Sequence, residues 1–277
     1  MWYHSALPDM SPPRVSAAVL TFNERRNIRR CLASLAWADE VVVVDSGSTD
    51  GTREIAASLG ARVVNRAWCG FLAQRAAAAA ECAHDWMLFL DADEWIPDEL
   101  GREIRAALAD PRGHSGFTIR RRNHFLDRWI DHAWAPDRLL RLFRRDAASF
   151  AGHEPHVHAQ LAPGHTEGQL AHPLLHDAYE SIAEMLVKVN AYSTQFADAD
   201  ETDAQYSPAK MLLSPLVSVF KTLLVKRGFL DGVHGLVIAW ATAHYHFLKY
   251  AKKWEKLRRR AALAEADDLG GQKHARG

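Results

Sequence analysis

An α/β fold with a mostly parallel central sheet flanked by helices is predicted by three features of this 277-residue sequence. Strand-like and helix-like patterns alternate over the first hundred residues, the order in which a parallel sheet and its crossover helices are built. The strand candidates are short unbroken apolar runs, as expected where both faces of a sheet are covered. Two of these runs stop at an aspartate, Asp45 and Asp91, and a third at the polar stretch Thr21 to Glu24. In open α/β sheets, ligands sit outside the carboxyl ends of the strands, so these polar groups converge on one crevice.

Val15 to Leu20 reads as the first strand. Ile28, Cys31, Leu32 and Leu35 then recur at helical spacing. Val41 to Val44 is a β-branched run ending at Asp45, followed by the turn Ser46-Gly47-Ser48 and a short helix carrying Ile55 and Leu59. Ala61 to Val64 is a third strand, and the alanine-rich Gln74 to Ala83 is helical by propensity. Trp86 to Leu90 is a fourth buried strand, after which Pro97 opens a helix with Leu100, Ile104 and Leu108 on one face. The region from Gly116 to His176 is rich in Arg, His and Trp and holds short strand candidates at Phe117 to Arg120 and Leu139 to Phe143. From Tyr179 the chain turns helical, with apolar stretches at Met211 to Val225 and Gly232 to Leu248. The expected organisation is an N-terminal extension (1–13), a catalytic domain (14–178), a helical appendage (179–260) and a polar tail (261–277).

The 34 basic and 34 acidic residues cancel, whereas a general nucleic-acid binder carries a basic excess. Cys31, Cys69 and Cys82 lack ligand spacing and fit a reducing compartment. Met1 to Pro13 has no basic start followed by an apolar core, so no signal peptide is expected and the protein is placed in the cytoplasm.

The chemistry points to Asp91-Ala92-Asp93-Glu94. Two carboxylates one residue apart, on a turn after a strand, can hold a divalent cation and leave positions open for phosphate oxygens. Such a cation stabilises a departing nucleoside diphosphate as Lewis acid and template. Taken alone, the same residues also suit an acidic helix start.

The segments VLTFNERRNIRRCLASL, VVVVDSGSTDGT and WMLFLDADEW, in this order and spacing, resemble the family 2 glycosyltransferases of GT-A fold. RRNHFLDRWI, LLRLFRR, HPLLHDAY and GFLDGVHGL extend the resemblance over roughly residues 15 to 255, towards the branch of bacterial lipopolysaccharide-core glucosyltransferases. The resemblance implies transfer from a nucleotide-sugar donor, UDP-linked, with inversion, to a lipopolysaccharide-core or other glycan or lipid-linked acceptor, with Mn2+ or Mg2+ as cofactor. It assigns Glu24 and Asp45 to the nucleoside, Asp45 accepting from the base edge, and places Thr21 and Asn23 in the nucleotide-sugar site. Gln74 and Arg75 match the donor-side helix, Asp91 the ribose or metal region, and Asp93 the main metal ligand.

The sequence departs from the family at Ala76, where Asn usually follows Gln-Arg, and at Ala159, where Glu often follows Val-His. An inverting enzyme needs a base for the acceptor hydroxyl proton. Glu154 is the candidate, with Asp137 the alternative. Of the histidines gathered between His153 and His176, none shows zinc-ligand spacing. His176 is a candidate second ligand for the catalytic cation.

Neither C-terminal apolar stretch reads as a span. Pro215 and Lys221 interrupt one, and His234, His244 and His246 load the other. Both read as interfacial or packing helices. Trp240, Tyr245, Tyr250 and Trp254 suit the headgroup level. Lys249, Lys252, Lys253, Lys256 and Arg258 to Arg260 are expected to attract anionic lipid, making the protein peripheral on the inner face of the cytoplasmic membrane. Two other classes stay open: a sugar nucleotidyltransferase, disfavoured because Thr-Phe-Asn-Glu stands where a Gly-rich basic loop would follow the first strand, and a degenerate membrane scaffold that kept the fold. A dinucleotide-dependent dehydrogenase is excluded by the lack of G-x-G-x-x-G at that position.

Overall fold

The computed structural model describes residues 12–153, 156–199 and 207–274, and divides into two compact units. The first comprises the described residues of Met1–Arg122, Asp137–Gly152 and Val157–His176. The second comprises those of Asn123–Pro136, His153–His156 and Asp177–Gly277.

The first unit opens with β1 (Val15–Thr21), α1 (Ile28–Ala33), β2 (Glu40–Asp45), α2 (Thr52–Ser58), β3 (Arg62–Asn65), α3 (Phe71–Glu81) and β4 (Trp86–Asp91). There follow β5 (Glu94–Trp95), α4 (Asp98–Ala109) and β6 (Gly116–Phe125). β1 pairs in parallel with β2 and with β4, and β2 with β3, as the apolar runs predict. The pairing places Thr21 beside Asp45, and Leu20 beside Asp91. Side chains alternate across the sheet. Ala17, Val19, Leu88 and Leu90 pack on α1 and α4 through Ile28, Cys31, Leu32, Leu100 and Ile104. Ala18, Val42, Val44, Met87 and Phe89 pack on Ala78 and Cys82 of α3 from the opposite face.

After β7 (Arg128–Ile130) come β8 (Arg138–Arg144), β9 (Ala148–His153), β10 (His156–Leu161), β11 (Glu167–Gln169) and β12 (Leu174–Tyr179). Beyond β4 the pairing turns mostly antiparallel, with β11 added in parallel to β6. The strand order is β3-β2-β1-β4-β8-β6-β12-β5, with β11 and β7 paired to β6, while β9 and β10 form a separate ribbon. This strand content exceeds the two short candidates in the sequence. β5, only two residues long, pairs His176 of β12 with Glu94. That register positions the site.

The second unit holds β7, α5 (Ile182–Ala199), α6 (Pro208–Phe220) and α7 (Val233–His274), around a core of Phe125, Ile130, Ala133, Met185, Val189, Ile238 and Ala241. The polar tail belongs to α7 as far as His274. α6 runs into one wide π-type turn, Lys221–Val225, so that Pro208–Val225 is a helical stretch long and apolar enough by length and composition to cross a membrane, despite Pro215 and Lys221. A short 3-10 elbow, Gly228–Asp231, then leads into α7. A Cβ on Gly235 would lie 1.8 Å from the Gly228 carbonyl oxygen, so the glycines of GFLDGVHGL allow two backbones to touch.

In the basic run of α7, Arg258, Arg259 and Arg260 are exposed, while the lysines before them have partners within the protein. Lys252 Nζ donates to the Asn190 carbonyl at 2.6 Å, and to Asn190 Oδ1, Ser193 Oγ and Thr194 Oγ1 at 2.7–2.8 Å. Lys256 reaches the Ala197 carbonyl and Asp198, and Lys253 is buried. The Lys249 ammonium sits 4.9–5.5 Å from the rings of Phe196, Tyr245 and Tyr250. Lys249, Lys252 and Lys256 thus reach α5.

Candidate active site

Three loops at the carboxyl ends of β1, β2 and β4 frame the site. The first two are stitched together. Asn23 takes a left-handed conformation (φ 55°), donates its backbone N–H to Ser48 Oγ at 2.8 Å and accepts from Thr49 N at 2.9 Å. Arg25 N donates to Asp50 Oδ2 at 3.0 Å. Glu24 Oε2 accepts from Asn27 Nδ2 at 2.8 Å, at the start of α1. Thr21 is buried, and its Oγ1 has no hydrogen-bond partner among the described residues.

Asp45 is fully buried. Its Oδ1 accepts from Gly47 N (3.0 Å) and Ser48 N (2.8 Å), and its Oδ2 from the Ser48 hydroxyl. The structure therefore places this carboxylate inside its own loop, as the turn's organiser. Gln74 is likewise turned inward: its Nε2 donates to Ser46 Oγ and the Arg66 carbonyl, both at 3.0 Å. Each shapes the surface on which a ligand would rest.

At the third loop, Asp91 is held by two arginines. Arg75 Nη2 stands 3.4 Å from its Oδ1, and Arg141 Nη2 donates to Oδ2 at 3.0 Å. Burial pushes this carboxyl up, but Arg75 and then Arg141 outweigh it and hold it well below the usual carboxylate range. Arg141 also donates to Oε1 of the fully buried Glu94 at 2.5 Å, and Arg121 reaches the same oxygen at 3.1 Å. Glu94 Oε2 accepts from Asp91 N at 3.0 Å, closing the turn. Arg121 continues the chain to Asp137 Oδ2 at 2.8 Å. Burial lowers Arg121 and Arg141, yet their carboxylate partners win and both are raised above the ordinary guanidinium value. Arg75 is lowered, burial being the largest cause.

Asp93 stands opposite His176. Its Oδ2 lies 3.4 Å from His176 Nε2, and both side chains are partly accessible, at 16% and 14%. A carboxylate and an imidazole at this separation are two donors suited to Mn2+ or Mg2+. Among the described residues, no group of three or more His, Cys, Asp or Glu is arranged to hold a metal ion. A cation held by Asp93 and His176 would keep positions for ligand oxygens, as sites that clamp a substrate diphosphate do. Glu154 lies outside the described residues.

The predicted residues Thr21, Asn23, Glu24, Asp45, Gln74, Arg75, Asp91, Asp93, Asp137 and His176 all fall within the first unit. The roles of Glu94, Arg121 and Arg141 were not read from the sequence. One signal was available: an arginine inside Leu139-Leu140-Arg141-Leu142-Phe143 is a charge in a buried strand, which requires carboxylate partners.

The sequence model for glycosyl transferase family 2 matches residues 16–167. An uncharacterized glycosyltransferase of Rickettsia bellii is 31% identical over 258 residues, covering 89% of this chain and 88% of its own length. The lipopolysaccharide core biosynthesis glycosyltransferase LpsC of Rhizobium meliloti is 29% identical over 255 residues, covering 87% and 92%. Among solved structures, S. aureus TarS is similar over 89% of this chain and 91% of its own, at 16% identity and a TM-score of 0.45.

Proposed function

The chain belongs to glycosyl transferase family 2, and on that premise we propose that it transfers a sugar from a UDP-linked donor, with Mn2+ or Mg2+ bound, to a lipopolysaccharide-core or other lipid-linked glycan acceptor, inverting the anomeric centre. One observation carries the reading. Asp93 and His176 come together, from β4's loop and β12, beside the two stitched loops after β1 and β2.

Asp93 and His176 would hold the cation, whose charge would offset that developing on the departing diphosphate. Asp91 is left out of the ligand set, because Arg75 and Arg141 already occupy its oxygens. It fixes Arg75, which would reach the pyrophosphate from the donor-side helix. The nucleoside rests on the loops that Asn23, Glu24, Asp45 and Gln74 shape. The acceptor hydroxyl gives its proton to Glu154, with Asp137 as alternative, and attacks the anomeric carbon from the side opposite the diphosphate. The lipopolysaccharide-core acceptor is suggested by the Rhizobium relative, a lipopolysaccharide core biosynthesis glycosyltransferase that the chain matches over nearly its whole length.

A screen of nucleotide sugars for slow donor hydrolysis, with and without Mn2+ or Mg2+, tests the proposal. Cation-dependent release of UDP from one sugar donor is expected. Release of pyrophosphate from a nucleoside triphosphate and a sugar phosphate would instead identify a nucleotidyltransferase.

A further inference from the structure

The second unit carries an apolar surface that its own packing leaves uncovered. Along Pro208–Val225, Leu212, Leu213, Leu216, Val217, Phe220, Leu224 and Val225 are 56–67% exposed. The elbow and the start of α7 continue this surface with Phe229, Leu230, Val233 and Trp240. The opposite stripe of the same helix is polar and turned inward: Ser214 Oγ lies 2.9 Å from His246 Nδ1 of α7, and Ser218 and Thr222 are buried. Spaced four apart, these three define an amphipathic helix with one face on α7 and the other bare. Lys210, Lys221 and Arg227 are exposed along this stretch and Lys226 is half-buried. The one carboxylate between Lys210 and Trp240, Asp231, is buried.

We propose that this face, from Leu212 through the elbow to Trp240, lies in the interface of an anionic lipid bilayer. Exposed leucines, valines and aromatics enter the acyl boundary while lysine and arginine meet the headgroups, the composition of an in-plane membrane helix. Lys252 and Lys256 of α7 are spent on α5 and are not the contact. The helix lies on the bilayer and does not cross it, because the elbow is tied to the β6–β7 hairpin of its own unit. Asp231 accepts from the backbone N–H groups of Asp131, His132 and Ala133 at 2.7–3.3 Å. His234 pairs with Asp127 at 2.8 Å, and the Asp127 side chain is 85% exposed. Carrying the elbow through the hydrocarbon would drag that polar hairpin with it. This surface goes beyond the transfer reaction and stands without it.

Flotation of the full-length protein with phosphatidylcholine vesicles, with and without phosphatidylglycerol, tests the proposal. Binding should need the anionic lipid, weaken with salt and be reversed by alkaline carbonate. The paired change Leu216→Glu and Phe220→Glu should lower vesicle affinity roughly a hundredfold, since each removes one inserted side chain. Replacing Arg258, Arg259 and Arg260 by alanine should lower it by less than about threefold. If that run were the contact, the loss would be about a hundredfold. Both positions are exposed, so folding should persist; Leu216→Ser with Phe220→Ser substitutes if the glutamates disturb it. Donor hydrolysis should be unchanged in all variants, which separates failure here from failure of the transfer reading. Absence of vesicle binding, resistance to carbonate, loss through the arginines alone, or a dimer dissolved by the Leu216 and Phe220 changes would overturn the proposal.

Discussion

Replacing Arg141 by methionine removes the cation shared by Asp91 and Glu94 at little change in volume. Two charge-assisted hydrogen bonds are lost, at 3.0 and 2.5 Å. At about 1.5–3 kcal/mol each, they sum to about 3–6 kcal/mol. Two effects offset this. The buried Nε of Arg141 has no hydrogen-bond partner among the described residues, so its removal relieves a desolvated donor of about 1–3 kcal/mol. Each carboxylate also keeps one cation, Arg75 for Asp91 and Arg121 for Glu94. A net loss of about 2–4 kcal/mol is expected, in line with breaking a buried ion pair. Because the Asp91–Glu94 turn is held from this side, donor turnover should fall as well. Urea unfolding followed by near-ultraviolet circular dichroism measures the first effect. A shift within about 0.5 kcal/mol, the range of an ordinary surface change, would refute the reasoning. Arg141→Lys should fall between, keeping the charge without the planar fork.

The same network sets an acid limit. Asp91 is depressed in the folded state, so its stabilisation is complete above the ordinary carboxylate value of about 3.9 and is lost as pH falls below that value towards its folded one. Asp91→Asn should therefore be less stable than the parent at neutral pH, and the gap in urea midpoint should close in strong acid. A gap that widens there would reverse the sign. Asp45→Ala should weaken UDP binding by about 1–3 kcal/mol through collapse of the Ser48 loop, and Glu24→Gln should weaken it as well; isothermal titration reads both. Glu154→Gln should leave UDP affinity intact and slow transfer by roughly 10² to 10⁴. If Asp137→Asn alone does so, the base is Asp137, and normal transfer by both variants would remove carboxylates at either position from the role.

The parallel half of the sheet was legible because its strands are unbroken runs such as Val41 to Val44, and the turn after each is polar. The antiparallel half hid for identifiable reasons. β5 is two residues long and has no periodicity to detect. The β6–β7 hairpin turns on Leu126-Asp127, with Leu126 at φ 59°, where no glycine or asparagine announces a positive φ. β8 is interrupted by the buried Arg141, which reads as surface until its carboxylate partners are known.

The site was legible as residue types more than as roles. Asp93 and His176, far apart in sequence, meet through the short β5–β12 pairing. Asp45 and Gln74 were read as ligand contacts, yet their polar atoms are used on the loop itself. Lys249, Lys252, Lys253 and Lys256 were read by composition as a basic patch. Their spacing of three, four and seven residues from the first is that of one helix face, and that face packs on α5.

Cation-dependent donor binding through Asp93 is most directly tested by isothermal titration of UDP into the wild-type protein and Asp93→Ala, each with Mn2+ and with chelator. The wild type should bind UDP tightly only with Mn2+, and Asp93→Ala, folded by circular dichroism, should lose that Mn2+-dependent gain and retain the weaker cation-free binding. Equal UDP affinity of the two proteins with Mn2+ would contradict the assignment.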